Sequence, residues 1–198
     1  MAAPVRVGFT HVHSIRLASG PEALVARVAL EGGGEGYGFN LALDPAPARD
    51  MAAWDAFARR RGLPFAEALG GRRRERVPVE LDEQPALKPD WDEARRAMFE
   101  RRYKLLRVDP FAWGSVELVL SIGAAAAALD TPVALLAPNA HPWEVAYAAA
   151  LAATFPGNVK VIQRANPEAP AAEAPRVPGL GVGWALEPAF ASIRWLGR

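Results

Sequence analysis

From Val77 onward the sequence alternates short apolar runs with helical stretches. The apolar runs are 77–81, 105–108, 132–136 and 159–163; the helical stretches run from Asp90 to about Arg102, over 116–129 and over 142–154. Strand-length runs separated by helix-length segments do not pair as hairpins, because neighbours joined through a helix come back parallel. The βαβαβαβ order therefore predicts a parallel sheet with helical crossovers. Four such strands are half of the eight that close a β/α barrel. A complete barrel takes about 250 residues, more than the 198 of this chain.

The first third reads differently. Residues 5–17 and 23–30 are β-branched and partly alternating, separated by "ASGP", a turn signal. "EGGGEGYGF" follows; no helical pattern opens after it, so a hairpin turn is favoured over a phosphate loop. His11 and His13 share one strand face without a local third ligand, which favours ordinary strand positions over a metal pair. Asp44-Pro45 starts a helix with an N-cap and a proline at the first turn, and Met51, Trp54, Phe57 and Ala58 give it an apolar face ending near Gly62. "LPFAEALGG" is a short helix stopped by two glycines. "GRRRER" is read as a solvated turn, with an anion site as the alternative, and Asp90 with Glu93 as a capping box.

Composition excludes more than it selects. A formal net charge of +1 gives no global pull toward nucleic acid or membrane, and neither is expected as a partner. The absence of cysteine removes disulfides and thiolate metal sites. "MAAPVRVGF" lacks an apolar signal core and no stretch approaches a membrane span, so a cytoplasmic location is expected.

Two blocks resemble the mandelate racemase/muconate lactonizing branch of the enolase superfamily. "AAWDAFARRRGLPFAEALGGRRRERVPVE" is similar to the join between that family's capping domain and its first barrel strand. "RVDPFAWGSVE", "DTPVALLAPNAHPWE", "NVKVIQRANPE" and "VPGLGVGW" are similar to its last three strands and closing segment, and "EGYGF" to the start of its capping domain. The resemblance implies an α/β protein: a small α+β capping domain over 1–70, and an incomplete, half-like parallel β/α barrel with its closing segment over 71–198. The retained strands would be one, six, seven and eight, side by side in the order six, seven, eight, one. Such an open sheet would expose two edges and an apolar concave face, so a homodimer, or pairing with a full-length relative, is expected.

The resemblance also implies a chemistry, and here the chain departs from it. The family removes a proton α to a carboxylate, with Mg²⁺ stabilising the enediolate. Strands two to five, which carry the Lys-x-Lys base and the three acidic ligands, have no counterpart, and Lys-x-Lys is absent. No cofactor is therefore expected. Asp109 matches the strand-six Asp of a His–Asp dyad, whereas the ungapped His position falls on Leu136. Asp109 either caps the following helix, or pairs with Arg107 or Arg164, or forms a rebuilt catalytic pair with His141. Glu80, Asn139 and Gln163 are the candidate ligand-binding residues, Gln163 standing where racemase-like members carry Glu. The expected function is a catalytically degenerate small-ligand-binding or interaction protein, with a small carboxylate as a possible ligand. The alternatives are an active lyase or racemase on a hydroxy or sugar acid, and a decayed gene product.

Overall fold

A computed structural model describes residues 6–17, 22–71, 73–165 and 167–181. The "ASGP" turn (residues 18–21) and the Val182–Trp184 end of the closing motif lie outside the described residues. The chain divides into two compact units: residues up to Ala68 together with those from Pro175, and Leu69–Ala174.

In the first unit β1 (Val7–Arg16), β2 (Glu22–Leu30) and β3 (Glu35–Asn40) form an antiparallel sheet in that order. Gly32, Gly33 and Gly34, all with positive φ, make the turn between β2 and β3. The remaining two glycines of "EGGGEGYGF" serve a different end. Gly36 and Gly38 lie on β3 beneath α1 (Pro45–Arg60), which presents Ala48, Ala52 and Ala56, one per turn. A Cβ at Gly38 would fall 2.0 Å from the Ala48 carbonyl oxygen, and one at Gly36 2.1 Å from the Ala56 nitrogen. Only bare backbone admits the helix this closely. Asp44 caps α1, accepting the Ala46 N–H at 2.9 Å.

The Asp of the Trp-Asp pair is a strut. Asp55 is buried; its carboxylate accepts the Tyr37 N–H at 2.9 Å and the Leu180 N–H at 2.5 Å. Gly179 accepts from Phe65, which opens α2 (Phe65–Ala68), and donates to Leu63, both at 2.9 Å. The described part of the closing segment is thus tied to α1 and α2.

The second unit contains β4 (Arg76–Leu81), α3 (Trp91–Phe99), β5 (Leu106–Val108), α4 (Val116–Ala128), β6 (Val133–Ala137), α5 (Pro142–Ala152), β7 (Val159–Gln163) and β8 (Ala171–Glu173). Its sheet runs β5-β6-β7-β4-β8. The first four are parallel neighbours in the order six, seven, eight, one of the resemblance. Asp90 and Ser115 cap α3 and α4 through the Glu93 and Leu118 N–H groups. Arg74 of the basic run is half-buried and donates to the Phe155 and Gly157 carbonyls, a backbone tie that neither reading of "GRRRER" contained.

The expectation of two bare edges needs correcting. Beyond β4 lies β8, antiparallel, pairing Arg76–Pro78 with Ala171–Glu173. On the outer side of β5, the Leu87 N–H donates to the Arg107 carbonyl at 2.8 Å. Both covers come from the proline-rich stretches 82–90 and 167–178, which carry no strand pattern in the sequence. The edges therefore press less strongly for a second copy than the strand count implied.

Candidate functional site

The register assigns every side chain of the parallel strands to one of two faces. Val79, Val161, Leu135 and Val108 line up across one face, continued by Val133, Ala137 and Gln163. This face meets α5, whose Val145 and Ala146 share a cavity with Val79 and Gln163. The opposite face carries Arg107, Ala134, Leu136, Lys160, Ile162 and Glu80. The expected apolar concavity is not what stands there. Ala134, Leu136 and Ile162 are buried, with Ala86 of the 82–90 loop and Leu105 packed on them. The charged groups form pairs: Lys160 with Glu80, and Arg107 Nε with Asp82 Oδ2 at 2.8 Å.

Asp82 also accepts the Gln84 N–H at 2.8 Å. Desolvation acts to raise its pKa, but this hydrogen bond and Arg107 outweigh it, leaving the pKa below the usual carboxylate value. Arg107 is therefore the partner of Asp82 and not of Asp109.

Asp109 follows β5 directly. Its Oδ1 accepts the Phe111 N–H at 2.9 Å and the Ala112 N–H at 3.3 Å, so the side chain caps the turn leading toward α4. Burial pushes its pKa up; the two N–H groups and the Arg164 charge oppose this without cancelling it. His141 is the N-cap of α5, with Nδ1 accepting the Trp143 N–H at 3.3 Å. That bond requires an unprotonated Nδ1, and burial lowers the His141 pKa in the same sense. No hydrogen bond or ion pair joins Asp109 to His141 among the described residues; each is engaged by backbone N–H groups.

The residue that sequence reading missed is Glu144. Its side chain is almost wholly buried and accepts both the Asn139 N–H and the Asn139 Nδ2, each at 2.8 Å. Burial raises its pKa, the hydrogen bonds from Asn139 and the His141 backbone restrain it, and the Asp109 charge adds a further upward push. Asn139, expected to contact ligand, is thus tied to the start of α5. The signal was present: "HPWE" places Glu three residues after the cap, the capping-box spacing, with His in the capping position. Trp113 is a second omission, its indole N–H buried without a hydrogen-bond partner among the described residues.

Gln163 ends β7. It is 5% exposed, and its side chain has no hydrogen-bond partner among the described residues, although its backbone carbonyl accepts from Asp82.

No family model and no curated protein matches the sequence. Solved structures do match. An enolase from Pseudomonas fluorescens Pf0-1 with bound magnesium, potassium and tartrate aligns over 96% of this chain and 94% of its own, at 13% identity and a TM-score of 0.66. A racemase from Streptomyces coelicolor A3(2) with bound magnesium covers 93% and 99%, at 13% identity and TM-score 0.65. A mandelate racemase/muconate lactonizing enzyme from Polaromonas sp. JS666 covers 89% and 94%, at 14% and 0.62. The fold is that of the enolase superfamily. At these identities the likeness is one of architecture, a capping-type α+β unit with a barrel-like parallel sheet.

An enolase-type fold implies Mg²⁺, so its fit to these residues can be tested. Mg²⁺ needs near-octahedral oxygen ligation, normally including carboxylates free to turn toward it. Glu80 and Asp82 are held by cations, while Asp109 and Glu144 are held by N–H donors. Among the described residues no three His, Cys, Asp or Glu side chains converge as a metal centre. The donor set does not fit the ion.

Proposed function

We propose that this chain is a small-molecule-binding protein on a shortened enolase-type fold, without the metal-dependent proton abstraction of that superfamily. One observation carries the reading: Glu80 and Asp82, the carboxylates at the end of β4, are neutralised by Lys160 and Arg107 of the same sheet face. A carboxylate already paired with a cation is a poor Mg²⁺ ligand and a weak general base. Gln163, where the superfamily's racemases carry Glu, is an amide and cannot exchange a proton at neutral pH. What remains is a folded scaffold with a cavity and an unpartnered amide beside it.

The test is solvent exchange. Tartrate, mandelate and a sugar acid are incubated with the protein and Mg²⁺ in deuterated buffer, and the α-proton is followed by NMR. The expected result is exchange no faster than in buffer with Mg²⁺ alone. Exchange that needs the protein and is lost in Asp109→Asn would overturn the proposal in favour of a rebuilt lyase or racemase site.

A further inference from the structure

A cavity of about 440 Å³ lies between α5, β7, β4 and β8. It is on the α5 side of the sheet, the face opposite the Lys160–Glu80 and Arg107–Asp82 pairs. Its origin is legible in the chain path. Between Gln163 and β8 the described residues form no helix, and the chain returns as β8, held by the Val79 N–H to Pro170 carbonyl bond at 2.9 Å. The residues that would have to fill the gap are small: Ala146, Ala165, Ala171 and Ala172 all line it.

We infer that this cavity is the ligand site, and that it takes a compact apolar molecule with a neutral or cationic hydrogen-bonding head. The inference rests on the binding reading proposed above. Three observations support it. The volume falls within the range of small-molecule sites, about 300–1,000 Å³. Gln163 borders the cavity; the residue is 5% exposed, and its amide has no hydrogen-bond partner among the described residues. An amide in an otherwise largely apolar lining offers a ligand one oriented hydrogen-bonding group. Finally, the charged residues among the described lining are Glu168 and Glu173, both exposed and neither in an ion pair among the described residues. The exposed Glu168 carboxylate at the rim repels an anion and attracts a cation, whereas Glu173 stands opposite Arg76 across the β4–β8 pair. A carboxylate ligand therefore belongs elsewhere or nowhere.

Benzylamine, benzyl alcohol and benzoate share one ring and differ in the head group, so they separate cavity filling from charge. Each is titrated into ¹⁵N-labelled protein, into Ala146→Leu, which fills the cavity from α5, and into Gln163→Leu, which keeps the volume and removes the amide. Benzylamine and benzyl alcohol are expected to saturate with dissociation constants of about 1 mM, shifting the amides of Val79, Ala146 and Ala172. Benzoate should bind severalfold more weakly, and Glu168→Gln should remove most of that gap. Gln163→Leu should weaken benzyl alcohol severalfold, and Ala146→Leu should abolish all binding while spectral dispersion shows it folded. If Ala146→Leu loses dispersion, the Gln163→Leu comparison decides. Equal binding of benzoate and benzylamine would overturn the charge assignment. Shifts scattered away from the cavity, or none, would overturn the site itself. The exchange experiment is unaffected by that outcome, so loss of this site and loss of the binding reading remain distinguishable.

Discussion

On the α5 side of the five-stranded sheet, Val108, Leu135, Val161 and Val79 stand in register and are almost fully buried, with a gap left beside Gln163. On the other side the same strands offer Arg107, Lys160 and Glu80, half-buried to exposed, around a small patch of Ala134, Leu136 and Ile162. One face is held by volume and the other largely by charge pairing. In an enolase-type enzyme, charged groups at strand ends serve a metal and a substrate. Here they pair with one another, and the cavity beside Gln163 lies on the apolar face.

Substitutions on the two faces should differ in kind as well as size. Leu135→Ala should cost about 2–5 kcal/mol in urea unfolding, as for a buried leucine whose site cannot collapse. A cost below about 1 kcal/mol would show that the α5 face is loosely packed and would break the comparison. Across the sheet, Asp82→Asn or Arg107→Met alone should cost about 1–2 kcal/mol. The double variant should lose less than the sum, by about 1 kcal/mol of coupling. The Asp82 pKa is depressed, so its contribution is complete above the ordinary carboxylate value, about 4, and is lost as pH falls through its lower folded value. Coupling that survives full protonation of Asp82 would contradict an electrostatic origin.

Asp109→Asn should have a smaller effect of opposite sign. The pKa values of Asp109 and Glu144 are raised, so the folded state holds their protons more tightly than the unfolded chain. Stability should fall as pH rises from about 4 through the folded values. Asn keeps an oxygen for the Phe111 and Ala112 N–H groups and removes one of two neighbouring charges. The variant should gain up to about 1 kcal/mol on wild type between pH 4 and pH 7, read from urea curves at the two pH values. A loss of stability at pH 7 would give Asp109 a structural partner that its capping role does not include. His141→Ala should be the mildest, under about 1 kcal/mol. Because the pKa of His141 is lowered, its neutral form supports stability above the unfolded value and is lost as pH falls through the folded one; the variant should flatten that acid limb.

The succession of strands and helices was legible because hydrophobic period and helix caps are local signals, Asp90 announcing α3 from within its own first turn, whereas the neighbour order came only with the resemblance. β8 was not, since "AAE" has no strand pattern and becomes one only by lying against β4. Gly36 and Gly38 looked like parts of a turn because the helix they admit comes later in the chain. At the site, the residue types were readable and their partners were not. Arg107 meets Asp82 across 25 positions because the loop after β4 passes it, and Lys160 meets Glu80 across 80 through the β4–β7 pairing. Glu144 was within reach of sequence reasoning, had His been considered as a cap. The free space beside Gln163 had no local signature, because a cavity is defined by what four separate elements fail to fill.

The central claim, that the carboxylates of this fold are engaged by cations and N–H donors and not by a metal, is tested most directly by calorimetric titration of the protein with Mg²⁺ near neutral pH. The account predicts no saturable heat below about 1 mM, in wild type, Glu80→Gln and Asp109→Asn alike. Saturable binding in the wild type that either substitution abolishes would contradict it.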